Sequence, residues 1–127
     1  MKEKLDAIFK AFESYIKGQD YFDIVYSKKY GYVRLVVDSE EMELLDTPEK
    51  MLDYLCYDVI SEVVYSADNP KKEHDGFELT EYEETESRRR LTAILEKMEG
   101  EDGARYLSSI DGYLERYQRS SALDDDE

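Results

Sequence analysis

An α+β fold is what this sequence predicts, and three patterns carry the prediction. Apolar residues recur at three- and four-residue spacing in four separate segments. Between the first two of these lies a stretch in which apolar and polar residues alternate. Gly, Pro and Asn fall at the joins. The expected order is an N-terminal helix, a three-stranded antiparallel meander, a central buried helix and a C-terminal antiparallel helical hairpin.

The first helix is expected over residues 3–17, where Leu5, Ile8, Phe9, Phe12 and Ile16 make one stripe. Asp6–Lys10 and Glu13–Lys17 stand in the favourable i,i+4 order, and Gly18 ends the helix. Residues 21–27 read as a strand with Phe22, Ile24 and Tyr26 on one face. Lys28 to Gly31 form a turn in which Gly31 supplies a positive φ. Residues 32–38 read as a second strand, with Val33, Leu35 and Val37 on one side and Tyr32, Arg34 and Val36 on the other. A turn near Asp38–Glu40 leads to a short edge strand over 41–45, where Met42 and Leu44 alternate with Glu41 and Glu43.

Thr47-Pro48-Glu49 is a helix start, with Thr as N-cap and Pro at the first helical position. The helix is expected to reach about Ala67, burying Leu52, Leu55, Cys56, Val59, Ile60, Val63 and Val64. Asp68-Asn69-Pro70 breaks the chain, and a polar loop runs through Gly76. Thr80 and Glu83 form a capping box for a helix over 81–99. Gly100–Gly103 reads as a short connection to a last helix over 104–119. The expected organisation is one domain over 1–119, followed by a disordered acidic tail over 120–127.

Composition bounds the function. The chain carries 32 acidic against 17 basic residues, a net charge of −15, with 12 tyrosines and no tryptophan. The acid is uneven: residues 1–30 are nearly neutral, whereas residues 31–60 hold eight acids and two bases. No stripe of Lys and Arg is present to neutralise phosphates, so direct nucleic-acid binding is not expected. No run of apolar residues is long enough to span a bilayer, and Met1-Lys2-Glu3-Lys4 leads into no apolar leader. Cys56 is a lone cysteine on an apolar helical stripe, which fits a reducing cytoplasm.

Catalytic and cofactor chemistry find few residues to use. His74 is the single histidine and sits in the polar loop beside Glu73 and Asp75, where a solvated side chain is the expected state. Setting Gly76 at the sixth position of a calcium loop puts Lys71 first and Tyr82 twelfth, and neither is a carboxylate. One Cys and one His do not make a transition-metal site, and no phosphate-binding glycine motif is present. No cofactor and no enzymatic activity are expected. Arg88-Arg89-Arg90 is explained within its own helix, because Glu84–Arg88 and Glu86–Arg90 are i,i+4 pairs.

The candidate partner-binding cluster is Asp38, Glu40, Glu41, Glu43, Asp46 and Glu49, with Tyr30 and Tyr32 on the adjoining hairpin. No basic residue lies between Arg34 and Lys50 to neutralise these acids, and tyrosine is a common interface residue. A competing reading is that Glu41 and Glu43 merely keep an edge strand from pairing with another chain. The expected function is a non-enzymatic acidic module that occludes a basic surface of a partner protein, in the manner of immunity proteins, antitoxins or phosphate-mimicking inhibitors. The alternative is a module that self-associates through its helical hairpin, with Tyr106, Ile110, Tyr113 and Tyr117 as a dimer seam and the charge serving solubility.

Overall fold

The computed structural model describes residues 2–37, 39–70 and 78–125, with side chains through Arg119. Its elements are α1 (Lys2–Lys17), β1 (Phe22–Ser27), β2 (Gly31–Val36), β3 (Met42–Leu44), α2 (Pro48–Val64), α3 (Glu81–Leu95), α4 (Gly100–Ser108) and α5 (Ile110–Asp125). The expected α+β class and order are observed: an N-terminal helix, a three-stranded antiparallel sheet, a central helix and a C-terminal helical region. Backbone contacts gather into two compact units, Met1–Tyr54 and Leu55–Glu127, with the boundary inside α2.

In the first unit, Leu5, Ile8, Phe12 and Ile16 form the buried stripe of α1. The sheet order is β1-β2-β3, antiparallel throughout. Gly31 closes the hairpin at φ 77°, a conformation that costs glycine little. Ring contacts fix how α1 lies on the sheet. Tyr15 meets Phe22, Phe9 stacks on Tyr32 at 5.2 Å, and the Lys2 ammonium sits over Tyr26. The helix therefore runs antiparallel to β1, over the face that carries Phe22, Ile24, Tyr26 and Tyr32. Asp6 does not pair with Lys10 as its spacing suggests. Its carboxylate accepts from the Tyr32 hydroxyl at 2.5 Å and from the Lys2 ammonium at 2.9 Å. Those bonds hold the Asp6 carboxyl below its usual range. Burial first, and the Asp6 carboxylate second, push the Tyr32 hydroxyl well above the usual phenol range.

Thr47 caps α2 as expected, its hydroxyl accepting from the Lys50 amide at 3.1 Å. Beyond the unit boundary α2 buries Leu55, Cys56, Val59, Ile60 and Val63, joined in the core of the second unit by Leu91, Leu95, Ile110 and Leu114. The capping box of α3 is complete: Thr80 accepts from the Glu83 amide and Glu83 from the Thr80 amide. Glu83 is wholly buried and also accepts from Asn69 Nδ2 at 2.7 Å, while the same nitrogen donates to the Val64 carbonyl. A buried carboxylate is tolerable only when hydrogen-bonded, and Asn69 thereby ties the end of α2 to the start of α3.

The C-terminal region differs in detail from a two-helix hairpin. α3 stops at Leu95, and Gly100–Gly103, expected as a loop, is the first turn of α4. Gly103 is required there, because a Cβ would lie 2.6 Å from the Met98 carbonyl oxygen. The helix expected over 104–119 breaks at Ser109. The hydroxyls of Ser108 and Ser109 both donate to the Arg105 carbonyl at 2.9 Å, competing with the helical ladder. α5 then continues to Asp125.

The arginine run behaves as its spacing requires. Arg88 pairs with Glu84 at 3.2 Å, and Arg90 with Glu86 at 3.1 Å. Arg88 also reaches Asp111, and Arg90 reaches Glu62 at 3.5 Å. Arg89, which pairs with Glu86, is the main cause of the Glu86 pKa falling from 4.5 to about 2, with Arg90 adding to it. A lowered folded-state value stabilises the fold above the unfolded value of 4.5, and that stabilisation is lost as pH falls from there through about 2. Replacing Glu86→Gln is thus expected to destabilise most above pH 4.5, with the gap from wild type closing toward pH 2. Thermal unfolding of both proteins across that range measures it. A gap that does not change with pH would mean the arginines contribute nothing through charge.

Candidate partner-binding surface

The register of the sheet sorts its side chains onto two faces. Phe22 pairs with Val36, Ile24 with Arg34 and Tyr26 with Tyr32; Arg34 pairs in turn with Glu43. Directly opposed residues share a face, so this is the face beneath α1. Asp23 pairs with Leu35 and Val25 with Val33, and across β2 Leu35 pairs with Met42 and Val33 with Leu44. These residues make the opposite face, and Val37, whose amide donates to the Tyr21 carbonyl, continues it.

That second face is exposed apart from Val33, which is 4 % exposed between Val25 and Leu44. Val25 is 38 % exposed, Leu35 38 %, Leu44 39 %, Val37 52 % and Met42 60 %. Among the described residues these are all of the large aliphatic side chains that are exposed; the others of that class are tyrosines. Contiguous apolar patches of this kind mark interaction surfaces on soluble proteins.

The strand geometry also divides the acidic cluster. β3 runs between Glu41 and Asp46, so Glu40 and Glu41 stand at one end of the sheet and Asp46 and Glu49 at the other, roughly 17 Å away at 3.3 Å per residue. Glu43 lies between them on the α1 face and is half-buried. Glu40, Glu41, Asp46 and Glu49 are exposed, as are Asp20 and Asp23 beside β1. None of these acids makes an ion pair among the described residues. Asp38 and His74 lie outside the described residues.

The two tyrosines assigned to the cluster part company. Tyr30 is 55 % exposed in the 28–30 turn, near Asp46 and away from Glu40. Tyr32 lies inside the first unit: it is 7 % exposed, stacked on Phe9 and bonded to Asp6. Only α1 decides this, since the alternation of β2 leaves either side free to be covered.

The residues of the alternative dimer seam are buried in the single chain. Tyr106, Ile110, Tyr113 and Tyr117 are each less than a tenth exposed. Tyr117 packs its ring on Tyr57 at 4.7 Å, and its hydroxyl accepts from Ser61. The break at Ser109 separates Tyr106 from the other three, so the 4-3-4 spacing does not run along one helix.

Sequence reasoning missed the open sheet face as a site. Its signal was present, since β2 is apolar on both sides, which a sheet covered on one side does not need. No group of three or more His, Cys, Asp and Glu among the described residues could hold a metal ion, and no described helix is long and apolar enough to cross a membrane. No protein-family model matches the chain, and no curated protein or solved structure is significantly similar to it.

Proposed function

We propose that this chain is a non-enzymatic binding module of the cytoplasm that occludes a basic surface of another protein. One observation carries the reading: Glu40, Glu41, Asp46, Glu49, Asp20 and Asp23 are exposed and unpaired among the described residues, in a chain of net charge −15. Some other carboxylates are matched, as in the Arg88–Arg90 network and the Arg105–Asp102 and Arg119–Glu115 pairs, while Glu81, Glu96, Glu99 and Glu101 are exposed and also make no ion pair among the described residues. Unneutralised charge around one face raises the encounter rate with a positive partner and rejects nucleic acid and anionic membrane. The mechanism is stoichiometric: the bound face covers whatever the basic surface of the partner would otherwise touch.

The test is capture from native lysate at low salt with the full chain immobilised. A basic protein is expected to be retained and to be released as salt approaches ~1 M, where the Debye length falls to ~3 Å. Glu40→Lys combined with Glu41→Lys is expected to abolish retention, with the association rate falling most. Glu43 is left unchanged because it lies on the α1 face. Both side chains are exposed, so the melting temperature of the variant should match wild type. Retention that survives both the reversal and high salt sinks the proposal.

A further inference from the structure

We infer that the open sheet face is the docking site for an amphipathic helix of a partner protein, with an apolar stripe along one side and Lys or Arg flanking it. The inference rests on the binding-module reading and names what its partner presents.

The occupant follows from shape and charge. Val25 and Leu44 are the exposed members of one row across the three strands, with Val33 buried between them at 4 % exposure, and Leu35 and Met42 form the next, with Val37 at its corner. Three strands spaced ~4.8 Å apart span about 10 Å between the outer two, the width of one helix. The other face of the same sheet is already covered by a helix in this way, α1. Acids stand beside these rows: Asp23 is opposite Leu35, Glu40 lies two residues before Met42, and Asp46 lies two residues after Leu44. A helix laid over the leucine, valine and methionine side chains brings its flanking cations onto these carboxylates.

Two other occupants fit less well. A second copy would set the same unpaired acids against one another, each chain bearing −15. An added strand would need a free sheet edge. On β1 the Ile24 amide is bonded by the Asp23 carboxylate at 2.8 Å, and β3 offers only three residues.

The experiment titrates the full chain with a synthetic Leu/Lys amphipathic helical peptide carrying one Trp in its leucine stripe. The protein has no Trp, so emission reports the peptide alone. A saturable 1:1 blue shift is expected. A Leu/Glu peptide with the same stripe should bind at least about tenfold more weakly, through like-charge repulsion. Leu35→Asn with Met42→Asn should weaken Leu/Lys binding at least about tenfold, both at low salt and at ~1 M. Glu40→Lys with Glu41→Lys should weaken it only at low salt. Circular dichroism and melting temperature establish that each variant is folded. If the Asn pair binds like wild type while the Lys pair loses binding, the helix-docking inference falls and the electrostatic function stands. If neither variant loses binding, both fall. Sedimentation equilibrium in which wild type is a dimer and the Asn pair a monomer would make a second copy the occupant and overturn the inference.

Discussion

Truncating Phe22 to Ala is expected to lower the unfolding free energy by about 3–5 kcal/mol, the largest single-site loss in the first unit. Phe22 is 1 % exposed and lies at the centre of an aromatic group. The rings of Tyr15 and Tyr21 flank it at 6.2 and 5.0 Å, and the Arg34 guanidinium sits 4.9 Å from its centroid. Removing the ring deletes apolar burial and leaves a cavity beneath α1. It also takes away one of the two rings over which the Arg34 cation is held, the other being Tyr54. Urea unfolding measures the loss. Val25→Ala in the same sheet is the comparison, because Val25 lies on the open face and should cost less than ~1 kcal/mol when so exposed. The ratio of the two tests the assignment of faces. Equal losses would mean that α1 does not cover the Phe22 side, and the open docking face would lose its basis.

Leu55→Ala is expected to cost about 2–5 kcal/mol. Leu55 is fully buried in α2, with Cys56, Val59 and Ile60 beside it at 1 % exposure or less. Exposed positions on the same helix give the contrast: Tyr57→Ala, on a side chain 37 % exposed, is expected to cost less than Leu55→Ala. A loss below ~1 kcal/mol at Leu55 would place it outside the core.

Much of the local structure was legible from residue spacing, for identifiable reasons. A cap is a contact between residues three apart, so Thr47 and the Thr80–Glu83 box could be read directly. The Glu84–Arg88 and Glu86–Arg90 pairs likewise depend only on helical geometry. Where a long-range partner competes, spacing misleads. Asp6 is one turn from Lys10, yet it takes Tyr32, 26 residues away, and Lys2. At Ser109 the competitor is local: the Ser108 and Ser109 hydroxyls both donate to the Arg105 carbonyl within an otherwise helical pattern.

The candidate surface was legible in its charge and not in its position. The sequence showed that the acids between Asp38 and Glu49 have no basic neighbour, and Glu40, Glu41, Asp46 and Glu49 are indeed exposed. It showed them as one cluster because they are adjacent in the chain. A strand converts adjacency into distance, and β3 carries the two ends of the cluster to opposite ends of the sheet.

By itself the sequence determined the elements from α1 to α3 and their order, the N-caps of α2 and α3 and the buried stripe of α1, since these follow from periodicity and short-range hydrogen bonding; it did not determine the division of the C-terminal region into α4 and α5. Tertiary structure alone decided which side of the sheet is covered. β2 is apolar on both sides, so alternation names two candidate faces and ranks neither. The packing of α1 on Phe22, Ile24 and Tyr32 makes the choice, taking Tyr32 inside and leaving Leu35, Val37 and Met42 exposed. It is a contact between segments distant in sequence, and no local pattern encodes it.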